Sequence, residues 1–133
     1  MMSESVDKFE LEAHYLYENT PSKNRKLRAL LYPTEVYDAF NNLIEKGAKR
    51  PATVCASMLR YIEKIETNGF REPAGDVELK PYILHNKNKN KKRVSVCIPV
   101  ELLERFEGLD VPTNNTLTYT LAMYDYLLSK GEM

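Results

Sequence analysis

Two stretches of the chain, KLRALLYP at residues 26–33 and KRVSVCIP at residues 92–99, are apolar runs closed by a proline, and each opens the same succession of patterns. After Pro33, Val36, Phe40, Leu43 and Ile44 recur at helical spacing; after Pro99, Leu102, Phe106 and Leu109 do the same. With Pro33 set on Pro99, Glu35 falls on Glu101, Phe40 on Phe106 and Leu43 on Leu109. After a one-residue gap, SMLRYI at 57–62 falls on AMYDYL at 122–127. Each copy therefore reads as strand, helix, turn and second helix.

The turns carry their own chemistry. Gly47 can end the first helix of copy one, because glycine tolerates the left-handed conformation. Pro51 suits the first turn of the helix that follows, where its missing N–H costs nothing. In copy two Gly108 and Pro112 break the first helix, and Thr113, Asn114 or Asn115 can cap the next, from about Thr116 to Ser129, which Gly131 closes. The second helices place Val54, Met58, Tyr61, Ile62 and Ile65, and Leu117, Leu121, Tyr124, Leu127 and Leu128, on apolar stripes that read as core. Met58 and Met123 need no role beyond packing.

One copy of roughly 40 residues is too small to fold on its own core, and its single strand has two unpaired edges. Pairing residues 26–32 antiparallel with 92–98 solves both problems. The expected fold is mainly α with a short two-stranded antiparallel ribbon. It comprises an acidic N-terminal arm (1–25), a first copy (26–66), a basic linker (67–91) and a second copy (92–133). The linker has turn signals and one short candidate strand at Tyr82–Leu84. Pairing between copies on two different chains is the competing topology.

Composition removes several function classes. Nineteen Lys+Arg balance nineteen Asp+Glu, so bulk charge gives no argument for nucleic acid or membrane. No apolar run reaches the length of a membrane span, and the acidic start lacks the apolar stretch of a signal peptide. Cys55 and Cys97 form neither a disulfide framework nor a metal-ligand spacing, so a reduced, cytoplasmic setting is expected. His14 and His85 stand alone, and no phosphate loop, GxSxG or HExxH occurs. The expectation is a non-enzyme without cofactor or metal. Charge is nevertheless uneven. The first 22 residues are acidic, and basic residues gather at 23–28, 46–50 and 87–93.

A strand ending in proline, followed by helix, turn and helix, resembles the ribbon-helix-helix class of DNA-binding proteins of the Arc/MetJ type. Two copies in one chain are similar to the single-chain pseudo-dimers among relaxosome accessory proteins of the TraY kind. The resemblance implies a tandem pseudo-dimer whose ribbon enters the major groove of double-stranded DNA. It also implies that the residue before each proline is buried. In copy two this register buries Val94, Val96 and Ile98 and exposes Arg93, Ser95 and Cys97 as base contacts. In copy one it buries Arg28, Leu30 and Tyr32 and exposes Leu27, Ala29 and Leu31. That apolar face fits thymine methyl groups, a protein-binding surface, or a one-residue slip that turns Arg28 outward. Phosphate contacts are implied at the starts of the second helices, from Lys49, Arg50 and Thr53 and from Asn114, Asn115 and Thr116. Lys26, Lys91 and Lys92, with Lys87 and Lys89, add backbone attraction.

The functional expectation is a sequence-specific DNA-binding protein, a repressor or DNA-organising accessory factor, plasmid- or phage-borne, with an asymmetric site. The alternative is a protein-binding inhibitor or antitoxin-like module on the same scaffold. In the N-terminal arm, Phe9, Leu11, Ala13, Tyr15 and Tyr17 alternate as in a strand, while Phe9, Ala13, Leu16 and Tyr17 fit a helix face. The arm reads as a packed or frayed segment, a partner-binding arm, or an acidic flap over the basic ribbon.

Overall fold

The computed structural model describes residues 7–69, 91–112 and 114–133. In chain order the elements are α1 (Lys8–Glu18), β1 (Arg25–Pro33), α2 (Thr34–Glu45), α3 (Arg50–Asn68), β2 (Lys91–Pro99), α4 (Val100–Glu107) and α5 (Asn115–Ser129), with a short 3-10 turn at Ser22–Asn24. The chain is mainly helical, with one two-stranded antiparallel sheet. The expected strand at Tyr82–Leu84, Lys87, Lys89, His85 and Thr113 lie outside the described residues.

The strands pair along their whole length, from Arg25 opposite Pro99 to Pro33 opposite Lys91, one pair beyond the expected 26–32 with 92–98 at each end. Side chains alternate across a strand, so Leu30 and Tyr32 of β1 and Val94, Val96 and Ile98 of β2 are buried against the helices. Both prolines hold the φ their ring imposes, −56° at Pro33 and −54° at Pro99, and each turns its strand directly into a helix. Helix α2 then buries Val36, Ala39 and Phe40, and α4 buries Leu102, Leu103 and Phe106.

The turns follow their residues. Gly47 takes φ +113° just past α2, and Pro51 sits in the first turn of α3. Of the three candidate caps before α5, Asn114 is used: its side-chain oxygen accepts from the Leu117 N–H at 2.8 Å.

Helices α3 and α5 form the base on which the ribbon lies. Met58, Ile62, Met123 and Leu127 are fully buried there, so most of each apolar stripe is core; Ile65 and Leu117 are only partly buried, and Leu128, expected in the core, is exposed at the end of α5. The packing is crossed: α3 touches α4, and α2 touches α5, so the first helix of each stretch lies on the second helix of the other. The Tyr61 and Phe106 rings meet at 6.1 Å across this seam. At the α3–α5 contact, Arg60 Nε donates to Asp125 Oδ2 at 2.8 Å and Lys64 Nζ to Asp125 Oδ1 at 2.6 Å.

The N-terminal segment settles as a helix, not a strand. A strand would have turned Leu11 and Tyr15 inward together with Phe9 and Ala13. The helix separates them, burying Phe9 and Ala13 on α3 and leaving Leu11 and Tyr15 exposed. Asp7 caps α1 by accepting from the Phe9 N–H at 2.8 Å. Asp7 and Glu10 both ion-pair with Lys130 beyond α5, at 3.2 and 3.1 Å, so these two acids are tied to the body of the fold.

Candidate nucleic-acid interface

The outer face of the ribbon carries Leu27, Ala29 and Leu31 from β1 and Arg93, Ser95 and Cys97 from β2, all exposed. The register sets Leu27 opposite Cys97, Ala29 opposite Ser95 and Leu31 opposite Arg93. Arg93 is the one charged residue among these six. Leu27 is 63% exposed and Leu31 39%, unusual for leucines on a paired strand, and they make one edge of the face apolar.

Arg28 does not join them, and the one-residue slip does not occur. The pleat turns Arg28 to the helix side, where Nε donates to Glu107 Oε2 at 3.1 Å and Nη2 to Oε1 at 3.4 Å. The Tyr119 hydroxyl donates to the same Oε2 at 2.7 Å. Burial pushes the Glu107 carboxyl up, but the hydrogen bonds from Arg28 and Tyr119 outweigh it and hold its pKa below the ordinary value. Burial pushes the Tyr119 hydroxyl up, and the Glu107 carboxylate pushes it further the same way. Arg28 is thus committed to a partly exposed pair on the helix side of the ribbon and is withdrawn as a base contact. Neither Glu107 nor Tyr119 stood out in the sequence. The available signal was an arginine at an inward position of an apolar strand, which calls for a carboxylate partner.

At the start of α3, Lys49 and Arg50 are exposed, but Thr53 is buried and its N–H donates to the Lys49 carbonyl at 2.8 Å. Thr53 therefore has neither side chain nor amide to offer a phosphate. At the start of α5, Asn115 and Thr116 are exposed, while the Asn114 oxygen is occupied by its capping bond. A cavity of about 260 Å³ lined by Arg28, Leu31, Glu107, Asn115, Thr116 and Tyr119 connects the Leu31 edge of the ribbon to this first turn. Lys26 and Lys92 are exposed and Lys91 half-buried near the ribbon ends.

The two thiols differ. Cys97 is exposed on the ribbon, whereas Cys55 is buried in α3 and burial pushes its pKa up to about 12. Among the described residues no helix is long and apolar enough to cross a membrane.

No family model, curated protein or solved structure matches the chain.

Proposed function

We propose that the chain is a double-stranded DNA-binding protein built as a tandem ribbon-helix-helix pseudo-dimer, a repressor or DNA-organising factor that lays the outer face of its ribbon in the major groove. The observation that carries this reading is the register. Ala29 and Ser95 correspond in the repeat, counted from Pro33 and Pro99, and they are also the residues paired at the middle of the ribbon. A strand residue that pairs with its own counterpart marks a two-fold axis, the symmetry with which such a ribbon addresses two half-sites.

The register also reassigns the chemistry of readout. Each end of the ribbon presents one residue from each strand. One end offers Leu31 and Arg93, the other Leu27 and Cys97. Arg93 can donate twice to a guanine, and the leucines suit thymine methyl groups. Lys49, Arg50, Asn115 and Thr116 stand as phosphate contacts that set orientation without reading sequence. The half-sites therefore differ in kind, one meeting Arg93 beside Leu31 and the other an uncharged pair, Leu27 and Cys97.

Selection of bound duplexes from a random pool tests the proposal. A converged, non-palindromic site supports it, and failure to enrich any duplex rejects it. Arg93→Ala should weaken binding to the selected site by about fivefold or more, in line with ~1–3 kcal/mol for a bidentate base contact. Binding to random DNA should change much less, and an unchanged specificity ratio would remove Arg93 from base readout.

The second reading, a protein-binding module, is favoured by the exposure of Leu27 and Leu31 and by the zero net charge. A salt titration separates the two. Phosphate neutralisation makes DNA affinity fall steeply with salt, and an apolar protein contact is far less sensitive.

A further inference from the structure

The contact between the two second helices has a property that follows from the repeat. Aligning SMLRYI at 57–62 with AMYDYL at 122–127 places Arg60 and Asp125 at the same position with opposite charges. In the fold these two counterparts touch each other, at 2.8 Å, with the Asp125 side chain only 17% exposed and Lys64 reinforcing it at 2.6 Å. Two first halves brought together around the same axis would set Arg60 on Arg60. Two second halves would set Asp125 on Asp125.

The Arg28–Glu107 pair says the same thing independently. It joins β1 of the first half to α4 of the second. Counted from the prolines, the counterpart of Arg28 is Val94 and that of Glu107 is Asn41. A pairing of first halves would leave Arg28 against an amide, and a pairing of second halves would leave Glu107 against a valine. Both side chains are only partly exposed, 30% and 24%, so losing the partner costs the charge-assisted hydrogen bonds that now satisfy them.

We infer that the interface between the halves is a charge-matched lock that admits only unlike halves, so the sole partner of a first half is a second half, its own or that of another copy of this chain. The inference rests on the paired repeat and is indifferent to what the ribbon contacts. Its consequence is that one chain is a complete working unit, and any dimer it forms through this interface exchanges halves reciprocally. The segment 70–90 can span on the order of 70 Å when extended, ample for such an exchange.

The test uses the full chain in two single variants, Arg60→Asp and Asp125→Arg. Each alone has like charges at the lock in every possible pairing, within or between chains. Each should stay monomeric and lose about 5 °C or more in its unfolding midpoint. Refolded together from denaturant, the two variants become complementary: one lock regains its native charges and the other has them reversed. A 1:1 heterodimer of twice the chain mass, seen by native mass spectrometry, with a recovered midpoint is the expected result. The double variant Arg60→Asp/Asp125→Arg restores opposite charges at positions 60 and 125 but leaves Lys64 beside a like charge, so it should regain part of the parent's midpoint as a monomer. If the single variants do not fold alone, folding on mixing is itself the supporting result. The inference is overturned if the mixture forms no heterodimer, if either variant forms a homodimer, or if both singles melt with the parent.

Discussion

Cys55 and Cys97 are the same side chain in opposite surroundings. Cys55 lies in the packed face of α3, where burial pushes its pKa up to about 12, while Cys97 stands on the open face of the ribbon. Only a thiolate reacts with disulfide or maleimide reagents, so native protein should titrate one thiol quickly and the second only in denaturant. Two fast thiols would mean that α3 is not packed as described. Glu107 invites a different measurement. Burial raises its pKa but the bonds from Arg28 and Tyr119 win, so the folded value lies below the ordinary 4.5. The unfolded chain then binds the proton more tightly. The stabilisation is complete above the ordinary carboxylate range and is lost as the pH falls through the lower, folded value. Glu107→Gln should flatten that part of the acid unfolding profile and cost about 1–3 kcal/mol at pH 7, because Arg28 loses its ionic partner. Matching profiles for variant and parent between pH 3 and pH 7 would show that the pair does not contribute. The inward placement of Arg28 was foreseeable from the pleat. Its partner was not, since 79 residues separate them in the chain.

At the scale of elements, strand and helix boundaries were legible because proline and glycine act locally. Pro33 and Pro99 end strands and start helices, Gly47 ends α2, and Pro51 opens α3. The start of α5 was narrowed to three residues, and the choice of Asn114 depended on which side chain could reach the Leu117 amide. Helix α1 was ambiguous for a physical reason. Its apolar residues satisfy both a period of two and a period of 3.6, and only the surface of α3 selects between them. Ala13 is fully buried at that contact. Ala13→Leu should therefore overpack it and cost about 1–3 kcal/mol in urea unfolding. Tyr15→Ser, on the 71% exposed side of the same helix, should stay within about 0.5 kcal/mol. Equal effects of the two substitutions would mean that α1 is not docked on α3.

For the whole molecule, the crossed packing of α3 on α4 and α2 on α5 makes one core shared by the two halves. It also places unlike residues at the two ends of one ribbon. In the proposed complex, the half-site under Leu27 and Cys97 is read through methyl groups. Replacing thymine by uracil there should weaken binding about fourfold per methyl, corresponding to ~0.8 kcal/mol for one buried carbon. The same replacement under Arg93 should matter less, because the Leu31 beside it is 39% exposed against 63% for Leu27. Equal sensitivity of both halves in a competition assay would sink the assignment of ends while leaving DNA binding itself untouched.

What the order of residues determined by itself was the repeat, the alternation of each strand, and the elements around them, because these depend on periodicity and on backbone limits set within a few positions. The antiparallel pairing was expected on the same grounds, since a lone strand of that composition has two unmet edges. The tertiary structure decided the alliances between distant side chains: Arg28 with Glu107 and Tyr119, Arg60 and Lys64 with Asp125, and Asp7 and Glu10 with Lys130. An ion pair depends on a few ångströms of separation that no local pattern encodes. It exists only once the packing of apolar faces has brought remote segments to the same place.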